Sequence, residues 1–266
     1  MSSPLLHIKN IDINYSDSEH PTVENFNLDV REGEIVCIVG ESGSGKTSVI
    51  RAILGLLPNS GKITQGDILF QNKSLLSLNK EQWRNLRGTD ISMIFQDSRA
   101  MINPIRKIGT QFVEYILTHQ KMSKDSARQK AIEMLNKMQL PDAQNIMKSY
   151  AFELSGGMCQ RVGIAMAMTF SPKLLLADEP TSALDVTIQM QIVKQMMALR
   201  EQFGTAIIMV THNIGVAAYM ADHLIVMQNG KIVDQGTREQ VIHHPSSSYT
   251  KDLLSAVPEL GGKRYV

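Results

Sequence analysis

Eight consecutive residues, Gly40-Glu41-Ser42-Gly43-Ser44-Gly45-Lys46-Thr47, constrain this chain more than any other stretch. They fit G-x-x-x-x-G-K-[ST], and each type in that pattern has a task. Glycines let backbone N–H groups close around phosphate oxygens, the lysine adds a mobile positive charge, and the threonine offers a hydroxyl to a divalent cation. The setting suits the task. The apolar run Ile35-Val36-Cys37-Ile38-Val39 precedes the loop as a buried strand, and Ser48 to Leu54 continues a helix that Gly55 and Pro58 bring to an end. A loop so placed gains the partial positive charge of the helix N-terminus. A chemically silent strand-to-helix turn would not require lysine followed by threonine, so the loop predicts a phosphate-bearing ligand.

A chain of 266 residues, 43% hydrophobic and 20% charged, has room for one sizeable α/β domain or two small ones. Its formal net charge of +1 supplies no basic field for nucleic acid, which is not an expected partner. Cys37 lies in the strand before the loop and Cys159 far along the chain. They form no CxxC and no metal-ligand spacing, and both are expected to be reduced thiols of a cytoplasmic protein. No apolar run approaches the roughly 18 residues of a membrane span. Met1-Ser2-Ser3-Pro4 lacks a signal-peptide core, so any membrane role is expected to be peripheral. The 16 methionines read as pliable core packing.

Before the loop, Leu6-His7-Ile8, Ile11 to Tyr15 and Phe26 to Val30 read as short strands of an antiparallel region. Tyr15 either stacks on a nucleotide base or is a half-buried strand tyrosine. After the first helix, Gly61 to Phe70 reads as a strand pair. Ile91-Ser92-Met93-Ile94-Phe95 then reads as a strand ending in Gln96-Asp97. Gln96 could reach a metal and an attacking water, or be an ordinary polar strand end. From Ile102 to about Ala165 helical patterns take over, with Ala127, Ala131, Leu135 and Met138 on one face of a helix that Pro141 closes. Ser155-Gly156-Gly157-Met158 opens a further helix as a second anion site, although an N-cap explains the serine equally well.

Leu174 to Ala177 is a buried-type strand that stops at Asp178-Glu179, at the tip where open parallel sheets place ligands. Asp178 is the expected Mg²⁺ holder and Glu179 the residue expected to polarise the attacking water. Thr181 to Asp185 leads into a helix with Ile188, Ile192, Met196, Leu199 and Phe203 on one face, ended by Gly204. Ala206 to Val210 delivers Thr211-His212 to the same edge, where His212 is the candidate γ-phosphate contact. Asn229-Gly230 between two apolar runs predicts a type I′ hairpin.

In this order the motifs resemble those of the ATP-binding subunit of ABC transporters, over essentially the whole chain. Gly40 to Thr47 matches the family's Walker A loop, Gln96 its Q-loop, Leu154 to Met158 its signature and Leu174 to Glu179 its Walker B strand. Ser182 to Asp185 matches its D-loop, His212 its switch histidine and Tyr15 its base-stacking aromatic. The resemblance implies an α/β fold with a P-loop NTPase, RecA-like core over 1–96 and 166–245, an N-terminal antiparallel β region, an inserted helical subdomain over about 97–165, and a tail over 246–266. It implies ATP and Mg²⁺ as cofactors, with Thr47, Gln96 and Asp178 toward the metal. It also implies a head-to-tail dimer in which each ATP lies between one subunit's Walker A loop and the other's Ser155-Gly156-Gly157.

A finer resemblance, to the peptide/nickel importer branch, rests on Gly55-Leu56-Leu57-Pro58, Ile94-Phe95-Gln96-Asp97, Asn103-Pro104, the Ser155 to Met158 signature and Tyr249-Thr250-Lys251-Asp252-Leu253-Leu254. It implies integral-membrane permease subunits, a second, non-identical ATPase subunit, an extracytoplasmic solute-binding protein, and a peripheral place on the cytoplasmic face of the inner membrane. Peptide members often carry a C-terminal cysteine cluster. No cysteine follows Cys159 here, so no iron–sulfur cluster is expected, and the lean is toward nickel or metal-chelate members, as is the Tyr150-Ala151-Phe152-Glu153 context. Asn213 departs from the acid that many relatives have after the switch histidine. Two other classes compete with transport. A soluble ABC ATPase of DNA repair or translation would usually carry a long coiled coil or a second cassette, and a small-molecule P-loop kinase would leave the Ser155 signature unexplained.

Overall fold

The computed structural model describes residues 3–15, 20–58, 60–182 and 184–256, with two further short strands at 259–260 and 263–264. In chain order the elements are β1 (Leu6–Tyr15), β2 (Val23–Val30), β3 (Ile35–Val39), α1 (Lys46–Ile53), β4 (Gly61–Phe70), β5 (Lys73–Ser74), α2 (Lys80–Leu86) and β6 (Ile91–Ile94). Then follow α3 (Ser98–Met101), α4 (Ile108–His119), α5 (Lys124–Lys137), α6 (Ala143–Ile146), α7 (Gly156–Met168), β7 (Leu174–Asp178) and α8 (Val186–Phe203). The last are β8 (Ala206–Thr211), α9 (Ile214–Met220), β9 (His223–Gln228), β10 (Lys231–Thr237), α10 (Arg238–His243) and α11 (Ser248–Ser255). The chain divides into two compact units, Met1–Lys80 with Ala206–Val266, and Glu81–Thr205.

The first unit holds an antiparallel sheet in the order β2-β1-β4-β5. Along β1 the side chains of Leu6, Ile8, Ile11 and Ile13 are fully buried, the alternation of a strand with one face in the core. Two expectations are corrected here. Leu6–Ile8 and Ile11–Tyr15 are one strand rather than two, and Gly61–Phe70 is one strand rather than a pair. The physical reason is a bulge on each side of the pairing. Asn10 takes φ 47° and Gly66 φ 83° where the β1–β4 register shifts, and a Cβ on Gly66 would lie 2.3 Å from the Lys9 carbonyl oxygen. Asn10 donates its N–H to Asn27 Oδ1 at 2.9 Å, so the polar residues that read as a turn pin a bulge.

In the same unit β3 lies between β8 and β9, parallel to both, with β10 antiparallel to β9. All five residues of β3 are buried, which accounts for its unbroken apolar run. The turn between β9 and β10 has Asn229 at φ 49° and Gly230 at φ 78°, the paired left-handed residues of the expected type I′ hairpin.

In the second unit β6 and β7 pair in parallel, Ile91 opposite Leu174. Ser123 caps α5 by accepting from Ser126 N–H at 3.1 Å, and Ala127, Ala131, Met134 and Leu135 form its buried face. Met138, just past the helix, is buried too. Ile192, Met196 and Leu199 are buried along α8, and Gly204 at φ 65° ends it as expected. Among the described residues no helix is long and apolar enough to cross a membrane.

Candidate nucleotide site

The phosphate loop joins β3 to α1 in the first unit. A Cβ at Gly40 would lie 2.2 Å from the Met227 carbonyl oxygen, so β9 admits only glycine there. Lys46 begins α1, is 5% exposed, and donates from Nζ to Gly40 O at 2.8 Å, Glu41 O at 2.6 Å and Ser44 Oγ at 3.3 Å. The N-cap of α1 is Gly45, which has no side-chain oxygen, and no acid occupies the first turn. A helix start with neither a side-chain cap nor a carboxylate suits an outside anion. Tyr15 ends β1 with its hydroxyl 2.9 Å from Ser48 Oγ of α1, beside the loop. His212 is exposed and follows β8 directly.

Asn213, the departure noted in the sequence, is the N-cap of α9. Its Oδ1 accepts from Gly215 N–H at 3.0 Å and Val216 N–H at 3.2 Å. Asparagine caps as well as aspartate does, so the departure leaves this helix start intact.

The carboxylates belong to the second unit. Asp178 is the last residue of the wholly buried β7 and is 5% exposed. Glu179 leaves the strand at φ 43°, a left-handed conformation that is strained for a non-glycine residue. Gln96 Nε2 donates to Glu179 Oε2 at 3.3 Å, so the tip of β6 and the tip of β7 bring together the two residues that sequence reasoning assigned to the water. The turn is braced from behind. Ser182 donates from N–H and from Oγ to Glu179 O at 3.3 and 3.2 Å, and Gln189 Nε2 donates to Thr181 Oγ1 at 2.9 Å.

Ser155 caps α7, its Oγ accepting from Met158 N–H at 3.3 Å, and both Ser155 and Gly156 are exposed. Gly157 has a packing reason, since a Cβ there would lie 2.9 Å from Ile188 Cγ2 of α8. Asp185 caps α8 by accepting from Ile188 N–H at 3.0 Å. Ser155 and Asp185 therefore each begin a helix, and Gly157 lets two helices approach closely. Burial pushes the Cys37 thiol far up, with the Asp222 carboxylate adding to it, and pushes Cys159 up as well. Both are thiols rather than thiolates at neutral pH.

The sequence missed one contact at the loop. The Tyr249 hydroxyl of α11 accepts a hydrogen bond from Glu41 N–H at 2.9 Å. The Tyr249 to Leu254 motif flagged the segment, but no pattern in one sequence tells which loop a distant helix meets.

The family model described as ABC transporter matches residues 23–182, which include the phosphate loop, Gln96, the Ser155 motif and the Asp178-Glu179 tip. The chain belongs to the ABC transporter family. It is 42% identical over 259 residues to the "Dipeptide transport ATP-binding protein DppD" of Bacillus subtilis (strain 168), covering 96% of this chain and 77% of that protein. It is also 42% identical over 262 residues to the "Oligopeptide transport ATP-binding protein OppD" of Haemophilus influenzae, covering 98% of this chain and 81% of that protein.

Among solved structures it resembles cbiO1 from Clostridium perfringens, described as part of the ABC transporter complex cbiONQ. That likeness has a TM-score of 0.78 at 26% identity, over 91% of this chain and 92% of that one. It also resembles the ATP-binding cassette MJ0796, in a dimeric post-hydrolysis state bound to ADP and Pi. There the TM-score is 0.77 at 29% identity, over 88% of this chain and 98% of that one. As an ABC transporter cassette the chain has the P-loop α/β fold expected of it, binds nucleotide and is an ATPase.

Proposed function

We propose that this chain is the ATP-hydrolysing subunit of a membrane importer of short peptides. The observation that carries the hydrolytic reading is the Gln96–Glu179 contact at 3.3 Å, an amide that orients a carboxylate at the end of a buried strand. Peptide cargo is supported by relatives that are 42% identical over nearly the whole chain and are named for dipeptide and oligopeptide transport. Their names favour peptide over the nickel-chelate cargo toward which the cysteine pattern leans.

On this reading Lys46 keeps one N–H on the Gly40 carbonyl and turns the others from Glu41 O and Ser44 Oγ to the β- and γ-phosphates, while loop amides from Gly43 to Thr47 close around them. Glu41, Ser42 and Ser44 shape the loop, and Tyr15 stacks on the base. Glu179 takes a proton from the attacking water as its oxygen bonds to the γ-phosphorus and the bond to the bridging oxygen breaks, giving ADP and phosphate. Gln96 orients that water and His212 donates to the γ-phosphate.

The donor set fits magnesium. Among the described residues no group of three His, Cys, Asp or Glu can hold a metal ion unaided. Magnesium at phosphate sites is ordinarily held by one or two side-chain oxygens together with the phosphates themselves. Thr47, Asp178 and Gln96 are the proposed protein ligands. When bound, the ion would neutralise charge on the phosphates.

The proposed domain plan is a catalytic core of 1–96 and 166–245, a helical subdomain of 97–165 and a tail of 246–266. ATP lies between this chain's loop and the Ser155-Gly156-Gly157-Met158 segment of a second, non-identical ATPase subunit, with Asp185 at the same interface. Integral-membrane permease subunits hold the pair at the cytoplasmic face of the membrane, and a solute-binding protein delivers cargo on the other side. The test is to purify the complex from its native membrane, identify its subunits, and measure ATP turnover with binding protein loaded with peptide or with Ni²⁺. Stimulation by peptide supports the proposal. Stimulation by Ni²⁺ alone, or recovery with no permease, overturns it.

A further inference from the structure

The motif Tyr249-Thr250-Lys251-Asp252-Leu253-Leu254 has no part in the function above, yet its helix is firmly seated within the first unit. Thr250 and Leu254 are buried, and α11 packs against α9 and β10. The approach to the helix is tied to β10, since Ser246 and Ser247 both donate N–H to Asp234 Oδ2, at 2.9 and 3.2 Å. Ser247 Oγ then accepts from Tyr249 N–H at 3.2 Å. From this anchored start the Tyr249 side chain, half-buried, accepts from Glu41 N–H at 2.9 Å.

The bonded group belongs to a particular peptide unit. Glu41 N–H and Gly40 C=O are parts of one rigid plane and point in opposite directions. The Gly40 carbonyl is also an acceptor for Lys46 Nζ, at 2.8 Å. Tyr249 therefore holds one end of the peptide whose other end holds the phosphate-binding lysine. The latch answers a physical need. Gly40 is glycine because the Met227 carbonyl leaves no room for a Cβ, and the same lack of a Cβ lowers the barrier to turning that peptide over.

We propose that Tyr249 is a positioning residue, which fixes the Gly40–Glu41 peptide so that Lys46 and the loop amides are pre-organised for the phosphates of ATP. The inference rests on the reading of the loop as an ATP site. Burial raises the Tyr249 pKa above its ordinary value, with the Glu41 carboxylate adding and the Glu41 N–H bond opposing, so the hydroxyl keeps its proton at neutral pH.

The test compares wild type, Tyr249→Phe and Thr250→Val. Thr250 Oγ1 is buried without a hydrogen-bond partner, so Thr250→Val alters the same helix without touching the latch. The readouts are ATP titration of the full chain with Mg²⁺, KM and kcat of the purified complex for ATP, and thermal melting without nucleotide. Loss of one neutral hydrogen bond predicts that Tyr249→Phe weakens ATP about three- to ten-fold. KM should rise to match, with kcat unchanged and a single cooperative melting transition retained, and Thr250→Val should bind as wild type does. Unchanged affinity of Tyr249→Phe overturns the proposal. So does a loss shared by Thr250→Val or accompanied by loss of the cooperative melting transition, since either makes the role merely structural. Failure of the wild type itself to bind ATP would overturn the underlying site reading, and is distinguished from these outcomes by the wild-type titration alone.

Discussion

Replacing Glu179 by glutamine separates geometry from proton transfer at the proposed site. Glutamine has the same length and shape and retains an oxygen to accept from Gln96 Nε2, the partner now 3.3 Å from Glu179 Oε2. The amide cannot take up a proton. If Glu179 is the general base, turnover falls roughly 10²- to 10⁴-fold, or about 2.7 to 5.5 kcal/mol in the barrier. ATP affinity should be retained, because the proposed ground-state contacts come from Lys46 and the loop amides. A second variant uses the backbone strain. Glu179 sits at φ 43°, which costs an L-residue about 1–2 kcal/mol, whereas glycine enters that region freely at about 0.4–1 kcal/mol of unfolded-state entropy. Glu179→Gly should thus be as inactive as Glu179→Gln yet melt no lower than wild type. The assay is single-turnover hydrolysis of radiolabelled ATP by the assembled complex, with a melting curve for each variant. Turnover of Glu179→Gln within about threefold of wild type, far short of the loss expected on removing a general base, would refute the assignment.

Three further outcomes follow from the same geometry. Asn213→Ala removes an oxygen that accepts from Gly215 and Val216 N–H, and should destabilise the protein by about 1 kcal/mol in urea denaturation, whereas Asn213→Asp should not. Ile105→Asp and Met101→Glu, at side chains 82% and 60% exposed, should uncouple transport from ATP binding in reconstituted vesicles if this surface receives a permease helix. Ile102 and Ile108 of the same segment are 5% and 1% exposed and belong to the core, so substitutions there should unfold the unit instead. Cys37 and Cys159, both buried with pKa values raised mainly by burial, should resist a thiol reagent at pH 8 until the protein is denatured.

Much of the fold was legible because its signals are local. The run Ile35 to Val39 had to be a strand buried on both faces, Asn229-Gly230 had to turn, and Ser123 and Gly204 mark helix ends by their own chemistry. The bulged strands were not legible. Asn10 and Gly66 look like turn residues from either side, and only their pairing across β1 and β4 makes them bulges. The same division runs through the site. The order of motifs singled out Lys46, Gln96 and Glu179 as candidates, but the Gln96–Glu179 hydrogen bond, the capping role of Asn213 and the reach of Tyr249 to Glu41 depend on contacts between segments distant in sequence or on backbone geometry.

The central claim is that phosphate binding at the Gly40–Thr47 loop powers uptake, and it is tested most directly by peptide accumulation in vesicles carrying the purified complex. Wild-type complex should accumulate a labelled short peptide only when ATP and Mg²⁺ are supplied on the face that bears this subunit. Complex carrying Lys46→Ala, which removes the ammonium group now donating to Gly40 and Glu41, should bind no nucleotide productively at this site and accumulate none. Accumulation without ATP, or undiminished accumulation by the Lys46→Ala complex, would contradict the account.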